Sequence, residues 1–244
     1  MIQKMVSRYS IEDVNERLFS SSSSSSLLPS TILDAMTKSI EPVTESEAAD
    51  LCRYRVPKLG NEEDGTCGLG LEKEPFEILE VLASGLETPR SKETELLRLK
   101  RLKLVMAALK EEVSADWIGV YENTLEPKKK EFEQLIKLAY LGAPSRAYFP
   151  LTESFALNSN NSTSCLRKQC IVIHDVARAT SSSTPYYVCD GRVQSEVCAP
   201  ILTSDGVCLG LIDSESWKSE NFTSEKVDII LKTAKALSDC NLFR

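Results

Sequence analysis

The segment SEVCAPILTSDGVCLGLIDSES, residues 195–216, constrains the fold of this chain more than any other. Two strand-length apolar runs flank Asp205-Gly206, a dipeptide that favours a tight hairpin turn. Side chains alternate faces along a strand, so Glu196 shares a face with Cys198, and Asp213 shares one with Leu211 and Glu215. With the turn centred on Asp205-Gly206, Glu196 and Glu215 stand at equal distances from it and become cross-strand neighbours. Asp213 then faces Cys198, and three carboxylates fall on one patch of sheet. Like charges opposed across a sheet destabilise it by up to about 1 kcal/mol when exposed, and by more when desolvated. A cationic ligand group would offset that cost, as would a proton held on one carboxyl. A solvent-exposed face or a bulge that breaks the register would remove it, and patterning alone leaves these readings open.

The elements around the hairpin are legible in the same way. ETELLRLKRLKLVMAALKEEV carries Leu96, Leu99, Leu102, Val105 and Leu109 at three- and four-residue spacing, with basic residues between them, which predicts an amphipathic helix. DWIGVYE and EFEQLIKLAYLG read as strands, and CIVIHDV as another. TSEKVDIILKTAKAL reads as a closing helix, with Thr223 or Ser224 to cap it and Val227, Ile230, Leu231 and Ala234 on its apolar face. Helices before and after a run of strands imply an α+β domain with helices packed on an antiparallel sheet.

The beginning of the chain reads differently. Seven consecutive serines, Ser20 to Ser26, precede a segment rich in Glu, Thr and Ser, a composition that supplies little core. Residues 1–74 are therefore expected to be a low-complexity, largely disordered extension, with short helices near 32–36 and 45–54, and residues 75–244 the folded domain. The 42% hydrophobic content is enough for a sizeable core.

A net charge of −7 disfavours nucleic acid and anionic membrane surfaces as main partners. The lysine run at Lys128 to Lys130 reads as a solvated loop tip. No stretch has the length and apolarity of a membrane span. The first residues are broken by Glu12, Asp13 and Glu16 where a secretory signal would be apolar, so a reducing, cytoplasmic setting is expected. The N-x-S/T sequences at Asn160, Asn161 and Asn221 then carry no glycan. The eight cysteines contain no CxxC, and His174 is the one histidine, so no metal site is expected. Cys198 and Cys208 lie inside strand-like runs and read as small buried residues.

With these residues in view, the chain resembles a known family. From about Glu93 onward the order of elements is similar to a GAF domain. DWIGVYE, VCDGRVQSEVCAPI and GLIDSES resemble segments of the free methionine-(R)-sulfoxide reductases. The resemblance implies a pocket for free methionine sulfoxide or a similar small molecule, with Glu196, Asp213 and Glu215 at its polar end and Trp117 and Tyr121 as aromatic walls. It also implies that Cys189 is one of the redox cysteines. Sulfoxide reduction needs a thiolate to attack sulfur, an acid to protonate the departing oxygen, and a second thiol to resolve the sulfenic acid. A carboxyl held neutral by its neighbours suits the acid's task.

The family's further cysteines are missing. Asn160 to Ser162 stand where one is expected, and Tyr148 to Leu151 where another is. Cys165 is the substitute, within reach if NNSTSCLRK forms a short helix. Two functions follow. One is a reductase using Cys189, relayed by Cys165, with no cofactor but a thioredoxin-type reductant as partner. The other is a catalytically inactive GAF ligand-binding or interaction module. Homodimerisation through the amphipathic helices stays open.

Overall fold

The computed structural model describes residues 6–10, 12–13, 27–59, 67–84, 90–125, 133–181, 190–240 and 242–243. The serine run, Lys128 to Lys130 and Cys189 lie outside them. The described residues build a seven-stranded antiparallel sheet in the order β1-β9-β10-β11-β6-β7-β8. Its strands are β1 (Val6–Tyr9), β6 (Trp117–Leu125), β7 (Glu133–Leu141), β8 (Tyr148–Pro150), β9 (Cys170–Ile173), β10 (Ser195–Leu202) and β11 (Cys208–Ser216). Short strands β2 (Arg53–Tyr54) and β5 (Phe76–Glu77) pair with each other, as do β3 (Pro57–Leu59) and β4 (Cys67–Leu71). This is the α+β arrangement of helices on an antiparallel sheet that the sequence predicts.

The two faces of the sheet have separate tasks. Ile118, Val120, Ile136, Val172, Val197, Ala199 and Ile212 form one face, which packs beneath α4 (Lys92–Val113) and α8 (Ser224–Asp239). Helix α4 begins where the Ser91 hydroxyl accepts from the Thr94 N–H, and it ends at Ser114, whose φ of 51° is left-handed. The five residues of its predicted stripe are all buried. Thr223 stands at the N-cap of α8, though its side chain makes no capping bond. The opposite face carries Tyr121, Leu135, Ile171, Cys198 and Leu211, covered by α6 (Asn160–Arg167).

Within the extension, helices stand near both places where short ones are expected. Helix α1 (Ser30–Thr37) and helix α2 (Glu45–Cys52) pack on α4, and Ile32, Leu51, Cys52 and Tyr54 join the main core. Helix α2 starts in a capping box between Thr44 and Glu47, and β1 extends the sheet at β9. Composition averaged over the serine run hid a few apolar residues that helical spacing gathers on one side.

The hairpin tip also differs in detail. Leu202 pairs with Cys208, and a bulge between Ile201 and Leu202 separates this pairing from the outer register. The connection is thus a five-residue loop rather than a two-residue turn. The outer register is nonetheless the predicted one, with Glu196 opposite Glu215 and Cys198 opposite Asp213.

Candidate functional site

The site sits on the sheet face beneath α6. Trp117, Tyr121, Ser145, Phe149, Ser159, Asn161, Glu196, Asp213 and Glu215 line one small cavity of about 20 Å³. The five candidate binding residues from the sequence are therefore together. They meet because β6, β10 and β11 are adjacent, with Glu215 opposite Trp117 and Leu211 opposite Tyr121. The cavity has room for roughly one water molecule.

The aromatic wall is fixed by close packing. The indole of Trp117 donates from Nε1 to the Ala143 carbonyl at 2.9 Å and stacks on Tyr140 at 6.1 Å between ring centroids. A Cβ at Gly119 or Gly142 would overlap that indole, so both glycines make its slot. Tyr121 meets Phe149 edge-on at 5.4 Å.

The acids are held by two amides. Asn160 donates from Nδ2 to Glu196 Oε2 at 2.8 Å, and Asn161 from Nδ2 to Asp213 Oδ2 at 2.9 Å. Both come from the first turn of α6, whose N-terminal dipole favours nearby negative charge. Asp213 Oδ1 and Asn161 Oδ1 are buried and have no hydrogen-bond partner among the described residues. Burial, and after it the charge of Glu196, pushes the Asp213 carboxyl well above the usual carboxylate range; the Asn161 bond and Lys137 oppose the rise. Lys137 is itself fully buried, its Nζ donating to the Ser145 carbonyl at 2.8 Å and lying 4.0 Å from the centroid of the Tyr140 ring.

The thiol beside the acids is Cys198, which donates to Glu196 Oε1 at 3.4 Å. Burial first, then the charges of Glu196 and Asp213, raise its pKa far above that of a free thiol, so it remains protonated. The donor atoms of Glu196, Cys198 and Asp213 lie within 4.8 Å of one another, a spacing at which they could share a metal ion.

Of the candidate thiols, Cys165 stands apart from this group. Cys165 lies on α6 as the short-helix reading required. Its Sγ faces Cys208 at 2.6 Å, and it does not line the cavity. Cys189 lies outside the described residues. His174 follows the end of β9 and shares a hydrogen bond with Ser7 at 3.1 Å. Sequence reasoning missed Asn160 and Asn161 as partners of the acids. The signal was their position, where the family's missing cysteine is expected.

No protein-family model and no curated protein matches the chain. Solved structures do. The type II free methionine-R-sulfoxide reductase of Thermoplasma acidophilum is 22% identical with a TM-score of 0.50, over 60% of this chain and 93% of that one. The free methionine-R-sulfoxide reductase of Neisseria meningitidis, in complex with its substrate, is 21% identical with a TM-score of 0.48, over 59% and 77%. A structure described as the GAF domain is 20% identical with a TM-score of 0.47, over 58% and 76%. At such an identity the likeness concerns the fold: the chain carries an α+β domain that resembles the Thermoplasma acidophilum reductase in architecture.

Proposed function

We propose that the cavity beneath α6 takes a small amino-acid-type molecule, its cationic group among Glu196, Asp213 and Glu215 and its apolar part against Trp117, Tyr121 and Phe149. The observation that carries this reading is the pair of buried acceptors, Asp213 Oδ1 and Asn161 Oδ1, without partners among the described residues and beside a second carboxylate. Buried acceptors of this kind are costly unless a donor meets them. An ammonium group supplies several donors and a positive charge at once. Since the cavity measures about 20 Å³, Asn160 and Asn161 must swing away from the acids as such a ligand enters.

Reduction of a sulfoxide is the catalytic form of the proposal. Cys189 would attack the sulfur of methionine sulfoxide while Asp213, kept neutral by burial and by Glu196, gives its proton to the sulfoxide oxygen; the sulfoxide S–O bond breaks, the hydroxyl passes to the Cys189 sulfur, and methionine is released. The sulfenic acid formed on Cys189 is then attacked by a second thiol, releasing water and leaving a disulfide for a thioredoxin-type dithiol to reduce. The second reading, a binding module without turnover, draws support from α6. Asparagines occupy its pocket end, and the thiol adjoining the acids, Cys198, stays protonated.

The test is calorimetric titration of the full chain with free methionine-(R)-sulfoxide, methionine and glycine, followed by incubation of the sulfoxide with dithiothreitol or thioredoxin. Release of methionine supports the reductase. Binding without release supports the module. If no amino acid binds, the proposal fails; zinc binding at the same acids would then favour a metal ion in its place.

A further inference from the structure

We propose that Cys165 and Cys208 form a redox-active dithiol, a site of reversible oxidation by peroxide that fastens α6 to β11. The two sulfurs meet between α6 and the sheet, one from the last turn of α6 and one from the first residue of β11, 2.6 Å apart. The sulfurs are in direct contact, so little motion is needed to join them in a disulfide of ~2.05 Å. They are 43 positions apart in the chain, and a bond here would close a long loop.

The contacts give the two sulfurs different tasks. Cys165 donates its thiol proton toward Cys208, and Cys208 directs its own toward the Gly210 carbonyl at 3.3 Å. Cys208 is thus the sulfur on the accepting side of the contact. Its contact with Cys208, and then burial, raise the pKa of Cys165, which holds it as the donor. Both side chains are nearly covered, so the oxidant must be small, and hydrogen peroxide meets that condition.

The chemistry balances in two steps. The Cys208 sulfur attacks one peroxide oxygen, the O–O bond breaks, and the leaving hydroxide takes the thiol proton as water, which leaves a sulfenic acid on Cys208. The Cys165 sulfur then attacks the Cys208 sulfur; the S–S bond forms, the S–O bond breaks, and a second water departs. Two thiols lose two electrons and two protons, and one peroxide becomes two waters. A dithiol reductant reverses the bridge by exchange.

The bridge has a structural consequence. Helix α6 carries Asn160 and Asn161, which cover Glu196 and Asp213, and β11 carries Asp213. Oxidation ties this cover to the floor beneath it, and reduction frees it. This inference stands whether or not the cavity binds an amino acid.

The experiment uses the full chain, reduced with dithiothreitol, freed of it, exposed to stoichiometric hydrogen peroxide, and blocked with N-ethylmaleimide before peptide mapping. The expected result is a Cys165–Cys208 linked peptide that dithiothreitol removes, slower amide exchange in α6, and a thermal midpoint higher by roughly 5–15 °C. Cys165→Ala should leave a sulfenic acid on Cys208 that dimedone traps. Cys208→Ala should leave Cys165 unoxidised. The proposal is overturned if both thiols of the wild-type chain remain alkylatable while exposed Cys240 is oxidised, or if Cys165 bridges to a different cysteine.

Discussion

Glu196 and Glu215 are direct cross-strand partners at the centre of the sheet, and Asp213 lies opposite Cys198 on the same face. Three carboxylates on one covered patch make a place where a proton or a cation is energetically favoured. The asparagines of α6 offset part of that cost with two hydrogen bonds, and the N-terminal end of the helix adds to their effect.

Asp213→Asn tests this electrostatic arrangement. The folded-state pKa of Asp213 lies above its ordinary value, so its protonation favours the native state. Its contribution is complete below the ordinary carboxylate pKa of about 3.9 and is lost as pH rises through the folded value. The asparagine variant escapes that loss. Melting curves from about pH 5 to about pH 8 should therefore show the variant at least as stable as the parent at the upper end, with the gap closing as pH falls. A variant less stable at every pH would mean that Asp213 is an ionised structural acceptor.

The register of these acids was legible because a strand has a strict two-residue period and because Asp205-Gly206 marks the reversal. The bulge beside Leu202 left no such mark, since it is a matter of backbone conformation at apolar residues that fit either arrangement. The role of Asn160 and Asn161 was hidden for another reason. Polar residues at the start of a helix satisfy capping and solvent rules equally well, and only the fold brings them over the acids. In the extension, Ile32 and Leu51 are so few among serines and glutamates that composition outweighed spacing, although α1 and α2 bury them on α4.

Gly119→Ala tests how the aromatic wall is held. The added methyl would enter the space of the Trp117 indole, on the strand that also bears Tyr121. The ring must leave its stack on Tyr140 and its bond to the Ala143 carbonyl, at an expected cost of about 1–3 kcal/mol. In a Trp217→Phe background, where Trp117 is the remaining indole, the emission of the variant should shift to the red in the native state. An unchanged spectrum would show that the slot is wider than its two glycines indicate.

The packed extension gives a test of domain limits. Ile32 is fully buried, so Ile32→Ala should lower stability by about 2–5 kcal/mol in urea denaturation. A chain beginning at Pro75 loses Ile32, Leu51 and Tyr54 from the core together and should melt at lower temperature than the full chain. Equal midpoints for the two chains would show the extension to be dispensable for the fold.

The last prediction concerns a buried ion cluster on the opposite face. Arg98 of α4 donates from Nε to Glu95 at 2.9 Å and from both terminal nitrogens to Glu122 of β6, at 2.8 and 2.9 Å. It also holds the Leu242 carbonyl at 2.8 Å, next to buried Phe243, so one guanidinium joins the long helix, the sheet and the end of the described chain. Its bidentate grip on Glu122 satisfies both carboxylate oxygens. Arg98→Ala leaves two covered carboxylates facing a cavity and should cost about 3–5 kcal/mol in urea denaturation. Much of that loss is the penalty of unpaired charge, so Arg98→Met combined with Glu95→Gln and Glu122→Gln should recover a large part of it. If the triple variant is no more stable than Arg98→Ala, the cluster acts through the Leu242 contact, and the docking of the chain end, not charge pairing, is what Arg98 supplies.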